Sequence, residues 1–315
     1  MAMYRAAILG FSCVLLAAAV PAERGGVTGG RIDYRGWPGA YRLSNGTVEL
    51  VYVPQVGRIM RYAYFGGKNV LWENEKLLGQ TPDPQQASKE WVNFGGDKLW
   101  PAPQDRWGRP PDPHLDGVAE EVRLLGGNRL SATGQVSPRS GIRFIREIAL
   151  ARSGTGVTLK NTLVNVGARP VEWSVWEVAQ VDDPEVACLP VHREGRFPAG
   201  YFQFKDNPPD PALLTVRDGD VCLRRHPTRG AKIGGDSPAG WTSAMVGGVR
   251  FQVSARYEPG REYPDGGCAQ EIWSNPDPYR YMELELLSPL QTIPAGGSYS
   301  FTTRWRLERG RAAKR

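Results

Sequence analysis

Histidine is nearly missing from this 315-residue chain, with only three residues, His114, His192 and His226, each isolated from the others. There is no G-x-S-x-G elbow, no H-E-x-x-H pair, no phosphate loop and no Cys-His pairing. The usual serine-hydrolase, zincin and nucleotide-binding chemistries are therefore excluded as motifs. Cysteine is also scarce, and Cys13, Cys188, Cys222 and Cys268 follow no zinc-ligand spacing. No apolar run reaches the roughly 20 residues that cross a bilayer, and no segment has the pattern of a long amphipathic helix. The net charge of +6 is spread along the chain apart from the terminal RLERGRAAKR, so nothing marks a nucleic-acid partner. No fixed-period repeat is present, which argues against a propeller or solenoid.

What is present begins with an N-terminal leader. Arg5 precedes the apolar run AAILGFSCVLLAAAV, and Val20-Pro21-Ala22 stands before Glu23. This reads as a secretory signal peptide over residues 1–22, cleaved after Ala22, with an exported, periplasmic or extracellular product and no membrane span after cleavage. The mature chain would keep Cys188, Cys222 and Cys268, enough for at most one disulfide with one thiol left over. Residues 23–38 read as a flexible lead-in, 39–309 as one β-sandwich domain and 310–315 as a basic tail.

Glycine (38) and proline (26) suit a fold of many strands and turns. Runs of period-2 alternation recur along the chain, among them 47–54, 58–65, 68–74, 118–125, 129–136, 142–151 and 155–166. They continue at 170–181, 212–225, 248–258, 281–287 and 298–308, with turn signals every 8–12 residues or so. The expected class is all-β, a large sandwich of antiparallel sheets.

Several constellations carry chemistry. The stretch VNFGGDKLWPAPQDRWGRPPDP (92–113) sets Trp100 and Trp107 beside Asn93, Asp97, Lys98 and Gln104, on a segment expected to be neither helix nor strand. Flat apolar faces next to hydrogen-bonding groups suit a sugar, whose C–H face packs on a ring while its hydroxyls seek amides and charges. The double glycine Gly95-Gly96 permits close approach, either to a ligand or to a neighbouring strand. Alternation in YMELELL places Tyr281, Glu283 and Glu285 on one face, where buried carboxylates are costly unless paired or used. Glu271 and Trp273 share a face in EIWSNPDP. In EWSVWEVAQV, Trp173 and Glu177 face one way, Trp176 and Gln180 the other.

With these pieces in place, the chain resembles the galactose mutarotase-like superfamily and, within it, the bacterial DUF4380 family. VPQVGRIMRYAYFGGKNVLW is similar to the mutarotase opening, and VNFGGDKLWPAPQ with PPDP and Leu115-Asp116-Gly117 looks like the DUF4380 signature. YMELELLSPLQTIPAGGSYSFTTRWRL is similar to the mutarotase finish. The resemblance implies a galactose mutarotase-like β-supersandwich with a carbohydrate-facing groove and adds Arg58, in the Gly-Arg-Ile turn, to the binding residues. It implies a base at Glu283 or Glu285, with the register left open. The acid histidine of mutarotases has no counterpart here, where Glu177, Val178, Ala179 and Gln180 stand, so Asp97 or Lys98 is the candidate replacement. The candidate catalytic set is Glu283, Glu285, Asp97 and Lys98. The candidate binding set is Asn93, Trp100, Gln104, Trp107, Trp176, Gln180, Glu271, Trp273 and Arg58. A carbohydrate is the expected partner, with no cofactor and no metal. An epimerase-like or other carbohydrate-processing enzyme, a glycan-binding module and a structural envelope protein stand as rival readings.

Overall fold

The computed structural model describes residues 27–83, 89–106 and 111–310. The expectations for the leader, for Trp107 and for the tail beyond Gly310 lie outside the described residues. Two antiparallel sheets carry the fold, of 11 and 10 strands. The larger runs, in spatial order, Thr28–Tyr34, Trp37–Ser44, Val48–Val53, Arg58–Tyr64, Asp97–Ala102, Val171–Asp182, Tyr281–Leu287, Gln270–Ser274, Ala231–Gly235 and Phe202–Gln203. Gln291–Ile293 pairs with the far end of Val171–Asp182. The smaller sheet runs Leu214–Arg217, Asp220–Leu223, Val186–Pro190, Trp241–Val246, Val249–Ala255, Ser298–Arg309, Val157–Asn165, Ile142–Leu150, Arg129–Thr133 and Glu121–Leu124.

The alternation in the sequence explains these faces. In Ile142–Leu150 every second residue is buried and its neighbours are only partly covered, so one face meets the core and the other meets solvent. In Asp97–Ala102 and Tyr281–Leu287 every residue is buried. These central strands of the larger sheet have a covered surface on both sides. Between the sheets lies a continuous apolar core in which Tyr62, Phe251 and Trp305 meet with ring centroids 5.2–5.7 Å apart. Each such side chain contributes about 1.5–3 kcal/mol on burial.

Polar ties cross this core. Arg146 of the smaller sheet donates to Asp97 Oδ1 of the larger at 2.5 Å, and its Nε reaches Asn161 Oδ1 at 3.2 Å. Asn161 donates onward to Glu177 Oε2 at 2.7 Å, and Trp305 Nε1 donates to Glu177 Oε1 at 2.7 Å, with Thr303 also donating to Glu177. Asp97 and Arg146 are both essentially inaccessible.

Asp97, expected beside Lys98 in a site, is thus placed on the other face of the strand, inside the sandwich. Adjacent residues of a strand point to opposite sides. Four other expectations change. The stretch expected to lack regular structure contains a central strand, Asp97–Ala102, and part of the supposed lead-in forms Thr28–Tyr34 and the start of Trp37–Ser44. Within 68–74 only two isolated bridges form, Leu71 with Val181 and Glu73 with Gly95. The run 212–225 is a hairpin rather than one strand, and its Cys222 is disulfide-bonded to Cys188 on the adjoining strand.

Replacing Asp97 with alanine strands Arg146 in the core and is expected to cost about 3–5 kcal/mol, read as a shifted denaturant midpoint. Burial, working against Arg146, raises the Asp97 carboxyl from 3.8 to about 7. A raised carboxyl contributes stability that is full below its unfolded value and is lost as pH rises through its folded value. The stability advantage of the wild type over Asp97→Asn should therefore shrink as pH climbs from 3.8 to about 7.

Candidate functional site

The face of the larger sheet turned away from the smaller one holds a cavity of about 570 Å³. Its floor follows from register, because residues directly opposite each other on paired strands share a face. Trp100 lies opposite Trp176 and Lys98 opposite Val178, while Val178 in turn faces Glu285 and Gln180 faces Glu283. Glu271 pairs with Glu285 and Trp273 with Glu283, and Lys232 lies opposite Trp273. Both candidate glutamates therefore face the groove, with Tyr281 above them on the same strand.

Two lysine-centred clusters make up the floor. Lys98 Nζ donates to Glu283 Oε1 at 3.2 Å and lies 4.5 Å from the Trp100 ring centroid and 5.4 Å from that of Trp91. Gln180 Nε2 also donates to Glu283 Oε1, at 2.9 Å. Among the described residues, no protein group donates to Glu283 Oε2. In the second cluster Lys232 Nζ sits 2.6 Å from Glu271 Oε2 and 3.1 Å from Glu285 Oε2, over the rings of Trp176 and Phe204 at 4.9 and 5.0 Å. Trp176 Nε1 donates to Glu285 Oε2 at 2.9 Å. Each ammonium is met by both carboxylate and π-face, which offsets the cost of burying it.

Burial dominates the proton affinities. It lowers the Lys98 ammonium, with Glu283 opposing the shift and Arg58 adding to it. Lys232 is instead raised, because Glu271 and Glu285 outweigh its burial. Glu271 and Glu285 are both pushed up, by burial foremost and against the pull of Lys232. Burial and Glu283 together raise the Tyr281 phenol, so it stays protonated.

The walls come largely from loops. Trp91 is held by its indole N–H, which donates to Asp116 Oδ2 at 2.7 Å, while Arg58 donates to Asp116 Oδ1 at 2.5 Å. Gln104 lies on the one-turn helix Gln104–Arg106 and borders the cavity, as do Trp273, Asn207 and Asn275. Asn93 donates to the Tyr281 hydroxyl at 3.3 Å. Gly95 and Gly96, both at positive φ, explain the double glycine. A Cβ on Gly95 would stand 2.3 Å from the Trp72 carbonyl, and one on Gly96 would stand 2.5 Å from that of Ile59. Their close approach is to neighbouring chain, not to the cavity.

Of the residues singled out in the sequence, Glu283, Glu285, Trp100, Gln104, Trp176 and Trp273 line the cavity. Lys98, Gln180, Asn93 and Glu271 back them through the contacts above. Arg58 does not join them. It is fully buried, bonded to Asp116 and to the Gly95 carbonyl at 2.8 Å, and so supports Trp91 through Asp116 without lining the cavity. Lys232, Trp91, Asp116 and Tyr281 were not among the candidate residues. Tyr281 shares the face of Glu283 by simple alternation, whereas Lys232 sits in the short, glycine-flanked AKIGG, which offers little pattern. No histidine borders the cavity: His114 meets Asp112, His192 meets Asp236, and His226 meets Thr228.

A family model described as "Domain of unknown function (DUF4380)" matches residues 40–308, and the chain belongs to that family. No curated protein sequence matches it. Among solved structures, a TPR-domain containing protein from Parabacteroides distasonis is similar over 87% of this chain, at TM-score 0.58 and 13% identity; the chain spans 47% of that protein's length. A galactose mutarotase-like protein from Clostridium acetobutylicum is similar at TM-score 0.55 and 10% identity, covering 91% of this chain and 100% of the other. A putative aldose 1-epimerase from Escherichia coli K12 is similar at 0.54 and 12% identity, covering 90% and 100%. At these identities the likeness is one of fold, and the fold is galactose mutarotase-like.

Lys232→Met should expose the role of the second cluster. It leaves two buried carboxylates facing each other, at an expected cost of about 3–5 kcal/mol. Without the ammonium both carboxyls rise further, so the variant loses stability as pH rises and its gap from wild type widens. Denaturant titrations at acidic and neutral pH measure that gap, and adding Glu271→Gln should narrow it.

Proposed function

We propose that this DUF4380 protein binds a carbohydrate in the tryptophan-walled groove. One observation carries the reading: Trp91, Trp100, Trp176 and Trp273 surround a floor of paired carboxylates in a cavity of about 570 Å³. That volume accepts one or two sugar rings, within the usual range for small-ligand sites. The rings offer flat faces to C–H groups, and Glu283 and Glu285 offer acceptors to hydroxyls, with their positions already fixed by Lys98, Lys232 and Gln180. The fold it shares with a putative aldose 1-epimerase from Escherichia coli K12 supports the same ligand class, though fold alone does not specify chemistry.

A second reading, an epimerase-like enzyme, is favoured by Glu283 Oε2, which faces the groove without a protein donor among the described residues. In that reading Glu283 takes the proton of the anomeric hydroxyl. The Tyr281 phenol, kept protonated, is the neighbouring group that can give one to the ring oxygen. Glu283→Gln separates the two readings. It removes catalysis of anomer exchange, followed by NMR, while leaving binding within a few-fold.

We also propose that the protein is exported. The disulfide Cys188–Cys222 supports this, because such bonds persist in oxidising compartments. Thiol alkylation of protein from the cell envelope should label Cys268, which is buried, only after unfolding, and Cys188 and Cys222 only after reduction. Recovery from the cytosol with all three thiols reduced would sink the proposal.

For binding itself, Trp273→Ala is expected to weaken sugar affinity about tenfold with modest loss of stability, since this partly buried ring lines the cavity. Titration calorimetry over a sugar panel gives the affinity. If no sugar binds the wild type, the carbohydrate reading fails.

A further inference from the structure

The floor of the groove is short of positive charge. Two ammonium groups, Lys98 and Lys232, stand among three carboxylates, Glu271, Glu283 and Glu285, all of them buried. Asp265 lies near enough to Lys232 and Glu271 to act on both, adding a further acid to the same side. Both lysines are already committed to carboxylates of the protein. Among the buried floor atoms without a hydrogen-bond partner from the described residues are three acceptors, Gln180 Oε1, Glu271 Oε1 and Glu285 Oε1, and Glu285 lines the cavity. At the rim, Lys89 and Glu90 are exposed neighbours of opposite sign.

We propose that the groove selects a pyranose bearing a free ammonium group, an amino sugar, over its neutral, acetylated and acidic counterparts. This rests on the carbohydrate reading above and narrows it. A uronate, sulfate or phosphate would have to face Glu283 and Glu285 with no free cation at the floor among the described residues. A hydroxyl can satisfy an acceptor but leaves the charge uncompensated. An ammonium does both, because it brings three donors and a unit charge.

The protein already repeats the required environment twice. Lys98 rests between Glu283 and the rings of Trp91 and Trp100, and Lys232 rests between Glu271, Glu285 and the rings of Trp176 and Phe204. A ligand ammonium against Glu283 Oε2, beside Glu285 and under Trp273 and Trp176, would make a third setting of the same kind. Burial, with Asp265 and Glu285 adding to it and Lys232 opposing, raises Glu271 well above the usual carboxyl range. Glu285 is raised as well, with Glu283 contributing. An ammonium arriving beside these raised carboxyls favours their ionised form. Binding should therefore release protons.

Titration calorimetry tests this with matched ligands at mildly acidic pH, where the sugar amine is charged. The series comprises glucose, glucosamine, N-acetylglucosamine and glucuronate, with the galactose and mannose counterparts and short chitosan and chitin oligosaccharides. The expected result is binding about tenfold tighter or more for the amino form than for any matched partner. The apparent enthalpy should also vary with buffer in the sense of proton release. Glu285→Gln should bring the ratio of amino to neutral affinity close to one, whatever its effect on neutral affinity. If that variant does not fold, Glu283→Gln reads the same ratio. Neutral, acetylated or acidic forms binding as well as the amino form overturn this inference and leave the carbohydrate reading standing. Binding of none of them overturns both.

Discussion

The ion pair between Asp97 and Arg146, with the hydrogen bonds that gather around Glu177, is the constraint on which the rest of the structure depends. Two wide sheets could slide over an apolar core, since dispersion contacts have little direction. Charged hydrogen bonds in a dry interior have strict geometry, and leaving one unmade is costly. Asp97 and Glu177 therefore fix two central strands of the larger sheet against three strands of the smaller. Because side chains alternate, fixing Asp97 also fixes Lys98 on the other face, and fixing Glu177 fixes Trp176 and Val178. The groove floor is the reverse side of the core tie.

This arrangement also explains why the floor tolerates so much buried charge. Each lysine is held by carboxylates on nearby strands and capped by aromatic faces, which offsets the desolvation cost. Glu283 and Glu285 are thus oriented before any ligand arrives. A site with its polar groups already positioned loses less in ordering them on binding.

Much of this was legible in the sequence, and the exceptions have physical causes. Period-2 alternation was enough to put Tyr281, Glu283 and Glu285 on one face, Glu271 with Trp273, and Trp176 opposite Trp173, because long central strands obey the pleat. The same rule applies to Asp97 and Lys98, which cannot share a face once the segment is a strand. That strand was hidden by its flanks, Gly95-Gly96 before it and Pro101 and Pro103 within and after it, all of them turn-like in isolation. Arg58 shows a different limit. A guanidinium beside a glycine turn reads as a surface ligand group until Asp116, 58 residues on, is seen to claim it. Lys232 was missed because a five-residue strand rich in glycine carries too little pattern to assign a face. Thr28–Tyr34 is an edge strand whose residues are mostly half-covered, and its hydrophobic signal is correspondingly faint.

Trp91 differs from the other walls in its manner of support. It projects from a loop and is secured by one carboxylate, Asp116, which itself comes from a second loop and is oriented by Arg58. The floor, by contrast, is built from strand residues whose immediate neighbours are committed to the core. Variation in the two parts is therefore unequal. The loops around Trp91 and Gln104 can change with less effect on either sheet, whereas Asn207 and Asn275 are bonded to the floor strands at Lys232 and Tyr281. A change in the floor strands disturbs the interior at the same time. Across descendants of such a chain, the outline of an acceptable ligand would drift while the charged chemistry beneath it stayed the same.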